Sequence, residues 1–237
     1  YNIKYQKHLV ELDMVRHSGD GTGMDGQQSK HIWERAWRMH VWVYENALDE
    51  AEWFTKIDCD TYVLVDNVKN YLSNYSWNNP LYMGHVLYHQ KPALVSGPFT
   101  LFSRETIKQL GPVLKGMPHE FGDRSKFQHG QCVDRDVSAC VHLYCGAKSN
   151  DLFVCSQGAT EERTLSICLN TIGITATDTS SNGQIRSLIW KPSAHLGKKR
   201  SVQTKSWYWV GKPATAKDGP NCCAVDVHSL HPYKRPD

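Results

Sequence analysis

A chain of 237 residues with 40% apolar side chains has enough material for one large domain with its own core. Its formal net charge of +3 and pI of about 8.4 come from scattered basic residues, which excludes a nucleic-acid binder, and no run approaches the roughly 18 apolar residues of a membrane span. Cysteines at 59, 132, 140, 145, 155, 168, 222 and 223 lack the paired C-x-x-C spacing of a zinc site and point to disulfides in an oxidising compartment, so a secreted or extracellular placement is expected.

Residues 8–15 alternate as one strand does, and Gly19, Gly21, Gly23 and Gly26 then make a loop. Between 29 and 48 the apolar residues Ile32, Trp33, Ala36, Trp37, Val41, Tyr44 and Leu48 recur at helical spacing, with Ser29 as a cap. The apolar run 53–57 leads into Asp58-Cys59-Asp60-Thr61-Tyr62 and leaves through 63–65, a pattern read as a strand ending in two carboxylates. Strand alternation puts Asp58 and Asp60 on one face and Cys59 on the other, where it packs as a small hydrophobe. Two carboxylates on one face suit Mg²⁺ or Mn²⁺ bound to a nucleotide-sugar diphosphate, although a D-x-D triplet also fits a solvated strand end.

Residues 66–72 read as a short helix, 81–86 as a strand, 93–102 as a strand or turn, and 103–114 as a helix capped by Ser103. The sequon Asn74-Tyr75-Ser76 is usable for glycosylation in a luminal compartment. Residues 116–150 are polar, Gly-rich and carry Cys132, Cys140 and Cys145, so they are read as a disulfide-held insertion in a single domain spanning 1–237. Residues 161–172 form another helix. The remainder is loop-rich, with Lys198-Lys199-Arg200 as a solvated basic loop. Strands alternating with helices imply an α/β layer structure.

Taken in order, these landmarks resemble the inverting β1,3-glycosyltransferases, most closely the core 1 β1,3-galactosyltransferase branch. The stretch 44–54 followed by Lys56, Asp58, Asp60-Thr61-Tyr62-Val63 and Asp66-Asn67 is similar to that family's helix and metal-strand signature. Pro80-Leu81-Tyr82-Met83-Gly84 matches its next strand, and Val95-Ser96-Gly97 stands where the family has an S-G-G-A-G loop. Its acidic helix is superficially similar to Asp134-Arg135-Asp136-Val137, but the run from Thr160 to Leu169 fits better because Cys168 then falls in place. Trp207-Tyr208-Trp209, Gly219-Pro220, Cys222-Cys223 and Ser229-Leu230-His231 resemble the branch's C-terminal landmarks.

The resemblance implies a GT-A-like mixed sheet flanked by helices, with Asp60 and His231 as Mn²⁺ ligands and Asp58 holding the nucleotide end of a UDP-sugar. Glu162 would be the general base, Trp207, Tyr208 and Trp209 would contact the glycan, and Cys155 would pair with Cys168. Simpler roles remain open for each. His228 or His231 could be a surface histidine, Glu162 has Glu161 beside it, and the aromatic triplet could be core.

Four departures shape the functional expectation. The chain starts at Tyr1 with a single strand before its first long helix, so the fold is expected to be truncated at the N-terminal nucleotide-binding unit. Cys59 replaces the middle carboxylate of the metal triplet, Pro98-Phe99 replaces a second glycine, and Glu162 replaces an aspartate base. Together they favour a secreted lectin-like protein for terminal GalNAc or galactose on glycans and glycoproteins, needing no UDP-sugar and gaining avidity as a homo-oligomer. The alternatives are an active, metal-dependent, UDP-galactose-using β1,3-transferase of the Golgi lumen, or an inert structural component.

Overall fold

A computed structural model describes residues 28–115, 127–128, 131–132, 161–197, 211–213 and 215–231. The strand expected at 8–15, the glycine loop, the basic loop at 198–200 and most of the 116–150 segment lie outside the described residues. Within that segment only a two-stranded ribbon is described, β5 (Phe127–Gln128) against β6 (Gln131–Cys132).

In chain order the other elements are α1 (Gln28–Asn46), β1 (Trp53–Ile57), β2 (Tyr62–Val63), α2 (Val65–Leu72), β3 (Tyr82–Leu87), β4 (Leu94–Ser103) and α3 (Arg104–Lys115). After the ribbon come α4 (Glu161–Thr171), β7 (Ala176–Asp178), β8 (Ser187–Leu188), α5 (Pro192–Leu196), a 3₁₀ turn (Gly219–Asn221) and β9 (Ser229–Leu230). The helices predicted from periodicity are present within a residue or two of their expected ends, the usual uncertainty where helices fray.

Contacts divide the chain into two compact units. One contains α1 and the end of α3. Its interior is set by Trp37, whose indole N–H donates to the Leu114 carbonyl at 2.7 Å, and by Gly111, which lies directly against the Tyr44 ring. The other comprises Ala47–Leu110 and Glu162–Asp237, and it holds the main sheet.

That sheet has the order β1-β4-β3-β7 and is mixed: β4 runs antiparallel to β1 and β3, whereas β7 is parallel to β3. The central strand β4 is the longest of the described strands, and eight of its ten residues are buried. Val68 and Leu72 of α2 close over one face, where they meet Met83, Phe99 and Leu101. Burying each such side chain stabilises the fold by about 1.5–3 kcal/mol. The cap predicted for α3 is present, since Ser103 Oγ accepts the Thr106 N–H at 3.2 Å. A smaller sheet, β2-β9-β8, is joined to the start of α2 through Leu64 N–H to the His228 carbonyl at 2.9 Å and Asn67 Nδ2 to the Val227 carbonyl at 2.8 Å.

One irregularity positions the site. Gly84 pairs with Thr100 and Val86 with Val95, so His85 of β3 faces the whole stretch 96–99 of β4. This bulge explains how Pro98 is tolerated inside a two-sided strand, because the ladder with β3 is already interrupted there. The chains approach so closely that a methyl on Gly84 would lie 2.8 Å from the Phe99 carbonyl oxygen.

Two sequence expectations need correction. The strand stops at Ile57, and Asp58 to Asp60 belong to a turn closed by Thr61 N–H donating to the Asp58 carbonyl at 2.9 Å. The carboxylates therefore meet through a turn, not through strand alternation. For the same reason Cys59 is exposed at the turn and does not pack beneath the site.

Candidate metal and transfer site

The turn after β1 is fastened to the bulge of β4. Asp58 N–H and Thr61 Oγ1 both donate to the Pro98 carbonyl, at 3.2 and 3.1 Å. Pro98, expected from its missing N–H to impair the site, contributes through its carbonyl instead. The turn aims both carboxylates at His231, the residue immediately after β9, with Nε2 at 3.0 Å from Asp60 Oδ1 and 3.9 Å from Asp58 Oδ2.

His231 Nδ1 lies 3.2 Å from the Ile189 carbonyl. A carbonyl can only accept, so Nδ1 carries a proton and Nε2 is the ring atom turned to the two carboxylates, able to donate to them when protonated or to offer a lone pair to a cation. Three facing acceptors repel one another unless a proton or cation sits among them. Ligand atoms of Asp58, Asp60 and His231 all lie within 4.8 Å of one another, the one such group of three among the described residues. Two carboxylate oxygens and one imidazole nitrogen match what Mn²⁺ takes, and the Nδ1 hydrogen bond orients the ring as in other metal sites. Of the two C-terminal histidines, the structure brings His231 to the carboxylates.

Lys56 donates to Asp58 Oδ1 at 2.8 Å and to the Gly97 carbonyl at 3.0 Å. Gly97 in turn touches Glu162 of α4 so closely that an added Cβ would overlap Glu162 Oε1 and lie 2.9 Å from its carboxyl carbon. Glu161 is buried, whereas Glu162 is partly exposed and faces β4. Helix geometry separates these neighbours by about 100°, so only one can point at Gly97. Gly97→Ala is expected to preserve the fold, because the overlapping atoms end a flexible side chain. It should displace the Glu162 carboxylate by about an ångström while leaving the melting temperature within a few degrees of wild type. A crystal structure of the variant, with thermal melting beside it, checks this.

Below the turn, His228 is fully buried between the rings of Tyr71 and Phe99, at centroid distances of 4.7 and 6.2 Å. Burial, then the nearby Arg186 guanidinium, lowers its pKa from 6.5 to about 4, with Asp226 opposing. Between those values the unfolded chain binds more protons than the folded one, so stability falls as pH drops from 6.5 towards 4. The loss amounts to about 3 kcal/mol. Melting temperatures across that range should show the slope in the wild type and a shallower one in His228→Phe.

At the end of β3, burial, followed by Lys212 and His195, holds His85 well below its ordinary pKa. Burial also lowers Lys212 to about 7, partly offset by Asp178. Trp207, Tyr208, Trp209 and Cys155 lie outside the described residues, and Cys168 is buried. Cys222 and Cys223 are bonded to each other. Sequence reasoning missed the linking role of Lys56, although its place two residues before Asp58 was a usable signal.

The sequence pattern described as Fringe-like matches residues 13–181, well over half of the chain. The chain is 26% identical over 220 residues to a Xenopus laevis glycoprotein-N-acetylgalactosamine 3-beta-galactosyltransferase 1, covering 90% of this chain and 50% of that protein. It is 24% identical over 127 residues to human chondroitin sulfate synthase 3, covering 48% of this chain and 14% of that protein. The chain thus spans half or less of the length of these relatives. A match of this extent, on a chain that folds as a mixed α/β sheet flanked by helices, shows that the chain belongs to the Fringe-like family of β1,3-glycosyltransferases.

Proposed function

We propose that this chain forms the metal-binding and base-bearing part of an inverting, UDP-sugar-dependent β1,3-glycosyltransferase that adds galactose to GalNAc on glycoproteins within the Golgi lumen. The observation that carries this reading is the convergence of Asp58, Asp60 and His231. A cation held by carboxylates serves sugar binding as well as leaving-group chemistry, so what favours the transferase over the lectin-like reading is the Fringe-like match together with relatives named as a galactosyltransferase and a chondroitin sulfate synthase.

Asp60 and His231 would hold Mn²⁺, and Asp58 beside them would help hold the nucleotide end. When bound, the cation supplies positive charge against the diphosphate leaving group. Glu162 accepts the proton of the acceptor hydroxyl as it attacks the anomeric carbon from the face opposite UDP, inverting that centre. Gly97 makes room for its carboxylate, and Lys56 steadies Asp58.

The test combines calorimetry and product analysis. UDP should bind only with Mn²⁺, and incubation with UDP-galactose and a GalNAc-bearing glycopeptide should release UDP and yield a β-linked product visible by NMR. GalNAc binding without any UDP binding would restore the lectin-like reading, in which Trp207, Tyr208 and Trp209 are the residues to mutate.

A further inference from the structure

The lysine at position 56 bonds both its near neighbour Asp58 and Gly97, which stands 41 residues further along the chain. Its ammonium, with 15% side-chain exposure, donates to Asp58 Oδ1 and to the Gly97 carbonyl, while Gly97 itself is the surface against which Glu162 packs. The bond to Oδ1 leaves Oδ2 as the oxygen of Asp58 turned towards His231, 3.9 Å away. We propose that Lys56 is a positioning residue that selects the Asp58 oxygen presented to the cation and ties the metal turn to the strand supporting Glu162. This rests on the transferase reading above.

The geometry explains why a cation is needed at this position. Asp58, Asp60 and Glu162 place three carboxylates around the turn and bulge, and a fixed ammonium offsets part of their repulsion before any metal binds. A neutral side chain of the same length would fill the space but leave the Asp58 carboxylate free to rotate. Partners that orient metal ligands in this way typically contribute roughly 10–100-fold to affinity.

The experiment titrates Mn²⁺ by electron paramagnetic resonance, with and without UDP, into wild type, Lys56→Met, Asp58→Asn and the double variant, with circular dichroism as a folding control. Lys56→Met should raise the Mn²⁺ dissociation constant roughly 10–100-fold. In the Asp58→Asn background the same change should cost less than about twofold, because the carboxylate it orients is gone. If Lys56→Met fails to fold, Lys56→Gln is titrated in its place and should lose affinity on the same scale. Unchanged Mn²⁺ affinity in the lysine variant, or an undiminished loss in the Asp58→Asn background, overturns the positioning role while leaving the transferase reading intact. A wild type that binds neither Mn²⁺ nor UDP overturns both.

Discussion

Glu162→Gln is expected to reduce kcat by roughly 10²–10⁴-fold, the usual contribution of a positioned general base. Glutamine keeps the shape and the packing against Gly97 but cannot take a proton at neutral pH. Binding of UDP with Mn²⁺ should be unchanged, because Asp58, Asp60 and His231 come from the β1 turn and the end of β9, not from α4. Steady-state kinetics beside calorimetry separates the two quantities. A glutamine variant with full turnover would remove Glu162 from the chemistry and leave it as a packing residue on the bulge of β4.

The second large effect is expected at Asp60. Its Oδ1 is the carboxylate oxygen nearest His231 Nε2, at 3.0 Å, and the side chain is 40% exposed, so truncation removes a ligand without opening the core. Asp60→Ala should abolish measurable Mn²⁺ binding and, with it, Mn²⁺-dependent binding of UDP. Transfer should fall by roughly 10²–10³-fold or more, as when one preorganised electrostatic group is removed. The melting temperature of the metal-free protein should stay close to wild type. Manganese titration followed by electron paramagnetic resonance, together with thermal melting, checks both halves of the expectation.

Elements governed by local rules were legible in the sequence. Helical spacing located α1, α3 and α4, and Ser103 was recognisable as a cap because its hydroxyl needs only the N–H three residues on. The Asp58–Asp60 pair was also legible, but through the wrong geometry: a backbone hydrogen bond across the turn, absent from any pattern of side chains, brings the carboxylates together. Long-range partners were less accessible. Nothing near Gly97 signals that Glu162, far along the chain, will rest on it, or that the Pro98 carbonyl will accept two bonds from the metal turn. His231 was found through likeness to a family, not through its own spacing.

The bulge in β4 makes the spacing of a few residues decisive. Gly97 receives Glu162 and bonds Lys56, while the very next carbonyl anchors Asp58 and Thr61, so the Glu162 contact and the carboxylate turn share adjacent peptide units. Inserting or deleting a single amino acid between Val95 and Thr100 would shift both attachments together while leaving the flanking ladder able to form. Such a length change would pull Glu162 and the Asp58–Asp60 turn out of register without unfolding the protein, whereas the hairpin joining β3 to β4, from Tyr88 to Ala93, should accept changes in length far more readily.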